Sequence, residues 1–135
     1  MRHRVTTVPV PVGARALVVD DDAMIRRSLS TALVRAGFAV TTADDAVPAM
    51  SLTESFDVMV VDYNMQTATG AEVVRHFKNR FGDQIFCVVL SGEDDEGTSA
   101  RCRDAGADAV MTKPTMPSDL RRCLAKGLNS IRVAA

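Results

Sequence analysis

Six side chains able to do chemistry stand at the ends of short apolar runs. Ala16-Leu17-Val18-Val19 ends in Asp20, Asp21 and Asp22, and Val58-Met59-Val60-Val61 ends in Asp62. Ile85-Phe86-Cys87-Val88-Val89-Leu90 ends in Ser91, and Ala109-Val110-Met111 ends in Thr112-Lys113. If the runs are strands of one sheet, their polar ends collect at one edge. Carboxylates gathered there repel one another, at small separations by on the order of several kcal/mol. A hard divalent cation offsets that repulsion, and magnesium, or manganese in its place, suits a few carboxylates, a backbone carbonyl and retained waters. Lys113 adds a point positive charge that can also contact a phosphate, and Ser91 a hydroxyl donor. A carboxylate nucleophile, a divalent cation, an ammonium and a hydroxyl together can take a phosphoryl group and neutralise its peripheral oxygens.

The elements that must position these groups follow from hydrophobic pattern. Continuous apolar runs, as opposed to alternating ones, are what strands look like when helices cover both faces of a parallel sheet. Phe38-Ala39-Val40-Thr41-Thr42 makes a fifth such run. Between the runs, Ile25, Leu29, Ala32, Leu33 and Ala36 recur at helical spacing, and Gly37 stands where a left-handed C-terminal cap belongs. A short helix is predicted over 46–52, with Pro48 tolerable only in its first turn. Val73, Val74 and Phe77 mark a third helix closing near Gly82; a fourth is predicted over 96–105 before Gly106, and a fifth over 118–131. Five strands alternating with five helices favour an α/β fold with an open, doubly wound parallel sheet. Ligands of such sheets sit beyond the carboxyl ends of the strands, where strand order reverses. With the first and third runs as neighbours, strand spacing places the Asp21 and Asp62 backbones within roughly 5 Å.

Val18-Val19-Asp20-Asp21, Val61-Asp62-Tyr63-Asn64-Met65, Leu90-Ser91 and Thr112-Lys113-Pro114, in that order and spacing, resemble response-regulator receiver domains, including the chemotaxis receiver. The resemblance spans about residues 14 to 130. It implies a flavodoxin-like (βα)5 three-layer sandwich with strand order 2-1-3-4-5, and Asp62 as the acceptor of a phosphoryl group from a phosphohistidine on a histidine kinase or phosphotransfer protein. It further implies that Asp21, Asp62 and the Asn64 backbone carbonyl ligate magnesium, and that Asp20 acts mainly through a bound water. Lys113 would hold the phosphoryl group and Ser91 would move to hydrogen-bond it. Asn64 and Glu93 fall where the family tunes acyl-phosphate hydrolysis, Val110 at the aromatic switch position, and Met24, Ile25 and Pro114 where partners dock.

Departures from the pattern shape the expectations. Gln66 and Thr69 replace the usual proline and aspartate of the loop after Asp62, which suggests a less rigid loop, and Thr115 replaces an aromatic after Lys113-Pro114. Val110 cannot report burial by swinging between two positions as a tyrosine does, so a second reading is a receiver-fold binding module whose output is independent of phosphorylation. A third, an Asp-nucleophile phosphatase of the haloacid-dehalogenase kind, wants a second carboxylate where Asn64 stands.

Ordinary readings cover the remaining polar groups. Asp22 reads as a helix N-cap. Tyr63 reads as a surface or pocket-rim aromatic, His3 and His76 as solvated, and Arg26 and Arg27 as decoration of the docking face. Asp94-Asp95-Glu96 and Arg121-Arg122 read as solvated charge.

Length and composition bound the rest. The chain has 135 residues, room for one domain with a proper core. Residues 1–13, with two prolines and no helical period, read as an N-terminal extension, 14–131 as the domain and 132–135 as a tail. Sixteen basic residues against seventeen acidic ones leave no positive surplus, so direct nucleic-acid binding is not expected. No apolar run suits a signal peptide or a membrane span. Cys87, Cys102 and Cys123 show neither disulfide nor zinc spacing, which fits a reducing cytoplasm. With no effector segment after the fifth helix, the output is expected to be contact with another protein, by this chain alone or as part of a larger one.

Overall fold

The structure is a computed structural model that describes residues 10–11, 13–92 and 95–134, with side chains to 131. Glu93, Asp94, His3 and most of the expected N-terminal extension lie outside the described residues. Five parallel strands, β1 (Arg15–Val19), β2 (Ala39–Ala43), β3 (Val58–Asp62), β4 (Phe86–Ser91) and β5 (Ala109–Thr112), pair in the order β2-β1-β3-β4-β5. Helices α1 (Ala23–Arg35), α2 (Ala46–Met50), α3 (Gly70–Phe81), α4 (Glu96–Asp104) and α5 (Pro117–Ala134) alternate with them.

Both faces of the sheet are covered, which is why the strands read as unbroken apolar runs. Successive residues of a strand point to opposite faces. Leu17, Val19, Met59, Val61, Cys87 and Val89 pack with Val73, Val74 and Phe77 of α3, Ala46 and Ala49 of α2 and Cys102 of α4. Ala16, Val18, Val58, Val60, Val88 and Leu90 pack on the other face against Leu29 and Leu33 of α1 and Leu120, Leu124 and Leu128 of α5. The doubly wound sandwich expected from pattern is present, in the expected order.

Capping explains where the helices start. The side chains of Asp22, Asp45, Thr69 and Asp95 accept hydrogen bonds from first-turn backbone N–H groups of α1, α2, α3 and α4. At α3 this is a reciprocal box, in which Glu72 also accepts from the Thr69 N–H. Gly37, beyond α1, has φ 109°. Boundaries shift in several places. α2 stops at Met50, short of residue 52; β2 runs from Ala39 to Ala43, with Phe38 buried ahead of it. α5 starts at Pro117 and continues through 132–134, since no Gly or Pro follows Ile131 to stop it. A short 3-10 turn, Gly82–Gln84, was not legible in the pattern. Among the described residues no helix is long and apolar enough to cross a membrane.

Candidate functional site at the carboxyl edge of the sheet

The polar ends of β1, β3, β4 and β5 meet where strand order reverses. Pairing of Val19 with Val61 puts Asp20, not Asp21, across from Asp62. The expected neighbour was off by one residue, because strand ends cannot be located to that precision from an apolar run. All three carboxylates nevertheless converge: one oxygen from each of Asp20, Asp21 and Asp62 lies within 4.8 Å of the other two. Asp20 is 1% and Asp62 6% exposed, while Asp21 is open to solvent. Lys113 Nζ stands 2.9 Å from Asp62 Oδ1 and 3.6 Å from Asp20 Oδ2.

The charges are unbalanced. Burial pushes the Asp62 carboxyl above its ordinary pKa; hydrogen bonding to Lys113 pulls it partly back, and the Asp20 and Asp21 carboxylates add to the rise. Burial acts to lower Lys113, but the Asp62 and Asp20 carboxylates outweigh it and hold the ammonium above its usual range. One ammonium thus serves three carboxylates. Asp20 Oδ1 accepts from the Asp22 N–H at 2.9 Å, whereas Asp20 Oδ2 is buried and has no hydrogen-bond partner. The Lys113 ammonium lies 3.6 Å from that oxygen, beyond hydrogen-bond distance, which is costly for a buried anion. The donor set is all oxygen, as a hard divalent cation requires.

The other expected site residues, apart from Glu93, lie among the described residues. Ser91 is buried at the end of β4, paired across from Thr112, and its carbonyl accepts from the Lys113 N–H at 2.8 Å. Asn64 is exposed and bridges to Thr69 in the loop after Asp62. Val110 is half-buried against the α3 side of the core. Met24, Ile25 and Pro114 line one groove of about 560 Å³ beside Lys113, with Met24 81% exposed at its rim. The Lys113–Pro114 peptide is cis.

Several contacts run against the sequence reading. The loop after Asp62 is tied down despite Gln66 and Thr69: the Thr67 hydroxyl donates to Asp45 Oδ1 at 2.9 Å and accepts from the Val47 N–H, while Thr69 caps α3. Arg26 is not decoration, since its guanidinium donates to the Asp20 carbonyl at 2.7 Å. Asp95 caps α4. Tyr63 lines a groove, as its pocket-rim reading has it, but is largely buried, with its hydroxyl accepting from Arg101 Nε at 3.1 Å. His76 is half-buried rather than fully solvated; its ring lies edge-on to Phe77 and its Nε2 is buried. Gly70 is the residue that sequence reasoning passed over. A Cβ there would lie 2.5 Å from the Asp62 carbonyl oxygen and 3.0 Å from Tyr63 Cα, so α3 can meet the end of β3 only through glycine. A lone Gly after a polar loop carries no signal of that approach.

Residues 16–125 match a family model described as the response regulator receiver domain. The response regulator MprA of Mycobacterium bovis is 36% identical over 105 residues, covering 76% of this chain and 45% of that protein. The chain therefore spans less than half the length of the curated relatives it matches. Among solved structures, a CheY-like response regulator receiver domain protein from Methanospirillum hungatei superposes with a TM-score of 0.84 at 25% identity, covering 91% of this chain and 99% of that one. The BeF3-activated receiver domain of DrrB, a Thermotoga maritima protein, gives 0.82 at 27% identity, covering 87% and 99%.

Proposed function

The chain belongs to the response-regulator receiver family of two-component signalling, and from that premise we propose that Asp62 is its phosphoacceptor, loaded from a phosphohistidine of a histidine kinase or phosphotransfer protein. The observation that carries this is the clustering of the Asp20, Asp21 and Asp62 carboxylates beside the Lys113 ammonium, which contacts Asp62 at 2.9 Å and lies 3.6 Å from the buried Asp20 Oδ2. Asp20, Asp21, Asp62 and the Asn64 backbone carbonyl would hold Mg2+. The cation supplies charge neutralisation for the incoming phosphoryl oxygens.

The chain's own residues do the rest. A carboxylate oxygen of Asp62 attacks phosphorus in line; the P–N bond breaks and its electron pair returns to the imidazole. Lys113 fixes the Asp62 carboxylate before transfer and then meets the negative charge on the phosphoryl group. Ser91, at the end of the adjacent strand, donates to a phosphoryl oxygen. Asn64 and Glu93 set the lifetime of the acyl phosphate, and the groove of Met24, Ile25 and Pro114 receives the donor. A downstream protein reads the face of α4, β5 and α5.

The test is incubation with Mg2+ and acetyl phosphate, followed by intact mass and peptide mapping, with beryllofluoride as a non-covalent mimic; a DrrB receiver domain is a beryllofluoride-activated relative. One added phosphoryl group at Asp62, absent from Asp62→Asn, is expected. Neither modification nor mimic binding at Asp62 would overturn the proposal. The half-buried Val110 favours one other reading, output without phosphorylation, which signalling that persists unaltered in an Asp62→Ala strain would establish.

A further inference from the structure

Tyr63 follows Asp62 directly, and its backbone is held on both sides: its N–H donates to the Leu90 carbonyl at 2.9 Å and its carbonyl accepts from the Gly70 N–H at 2.8 Å. Its ring, 9% exposed, lies in the same core cluster as Cys102 of α4 and Val110 of β5. The hydroxyl accepts from Arg101 Nε at 3.1 Å. Arg101 donates in turn to the Thr98 hydroxyl at 3.1 Å. Thr98 is bound twice to Asp95, through its N–H at 2.6 Å and its hydroxyl at 3.1 Å. A continuous series of side-chain hydrogen bonds therefore joins the residue after Asp62 to the N-terminal cap of α4.

Little else fixes that helix. Of the nine residues of α4, Thr98 and Cys102 alone are buried, and the helix sits across a groove lined by Tyr63, Thr69, Glu72, Arg75 and Arg101. Elements with so few buried contacts occupy the low end of local stability and move first. Lys113 rests directly on Asp62 Oδ1, which is the arrangement of an unmodified carboxylate. Ser91 precedes Asp95 by only four residues, so displacement of Ser91 toward a phosphoryl group pulls on the start of α4.

We propose that the Tyr63–Arg101 hydrogen bond is a latch that holds α4 in its unphosphorylated position, and that its release is how this chain reads phosphorylation. The inference rests on Asp62 being the phosphoacceptor. It supplies a route that does not need an aromatic residue at Val110: the side chain beside Asp62, not the one on β5, carries the change. In population terms the latch stabilises one of two α4 positions, so removing it favours the state that a phosphoryl group also favours.

Tyr63→Phe, Arg101→Gln and the double variant test this in the full chain. Without ligand, each single variant is expected to speed hydrogen exchange of the α4 amides by on the order of tenfold, the size of a hydrogen bond to a charged donor. Arg101→Gln also removes the bond to Thr98, so the double variant should add little beyond Arg101→Gln, in which the Tyr63 bond is already lost. By reciprocity, the affinity for beryllofluoride with Mg2+ should rise by a similar factor. Tyr63 is the single tyrosine in a chain without tryptophan, so intrinsic tyrosine fluorescence in wild type and Arg101→Gln reports its surroundings on mimic binding. Faster exchange with unchanged beryllofluoride affinity would reduce the bond to a structural contact and overturn the latch. Wild type that binds the mimic while both variants leave α4 unmoved would also overturn it, with the phosphoacceptor reading intact. Wild type that takes no beryllofluoride sinks that reading, and the latch with it.

Discussion

Asp62 is a buried carboxylate that its surroundings oppose. Its raised pKa means that the ionised form is disfavoured in the folded chain, so its contribution to stability is present below its ordinary pKa and is lost as pH rises through the folded value. At neutral pH without a cation, ionised Asp62 therefore works against the fold. Asp62→Asn is expected to raise the thermal midpoint of the metal-free protein at pH 7, while abolishing phosphorylation; a lower midpoint in differential scanning calorimetry would show that the Lys113 contact outweighs the crowding of carboxylates. The acidic cluster and Lys113 were legible because four strand ends each carried a polar residue. The Arg26 contact to the Asp20 carbonyl was not, since a guanidinium on a helix surface can fold back in ways that spacing does not encode.

At the scale of elements, two glycines separate packing from function. A Cβ at Gly127 of α5 would collide with the Phe86 ring, and one at Gly70 would meet the Asp62 carbonyl oxygen at 2.5 Å. Both Gly127→Ala and Gly70→Ala should cost about 1–3 kcal/mol in urea unfolding, the usual range for overpacking. Only Gly70→Ala should also slow phosphorylation by acetyl phosphate, because it alone moves Asp62, the proposed acceptor. Equal rates in the two variants would contradict that placement. The α4 cap gives a pH prediction. Hydrogen bonding from the Thr98 N–H, and then the Thr98 hydroxyl, holds the Asp95 carboxyl below its ordinary value. A depressed carboxylate stabilises its helix above the unfolded pKa and loses that effect as pH falls through the folded one. After correction for intrinsic rate, exchange of α4 amides should therefore quicken below about pH 4, and should not do so in Asp95→Asn. The helices themselves were legible from periodicity, whereas the end of α2, the 3-10 turn and the tied loop of Thr67 depend on contacts made between segments.

For the whole molecule, the sheet is the frame that turns four separate strand ends into one site. A cation bound only by the folded site should stabilise the entire domain by mass action, by ~1.4 kcal/mol at a free concentration tenfold above its dissociation constant. Addition of Mg2+ should thus raise the thermal midpoint by a few degrees, and Asp20→Asn and Asp62→Asn should erase the rise. A midpoint indifferent to Mg2+ in the unaltered chain would argue that the cluster does not hold the ion. Sequence by itself determined the alternation of strands and helices, the two-faced burial of the sheet and the identity of the groups at its edge. Those properties are local: an apolar run, a helical period or a polar residue at a run's end is written within a few positions. Tertiary structure alone decided that Asp20 and not Asp21 faces Asp62, that Gly70 admits α3 to the end of β3, and that Tyr63 is buried beneath Arg101. Each depends on register and close approach between segments far apart in the chain. A one-residue shift there leaves the local pattern almost unchanged and changes which side chains meet.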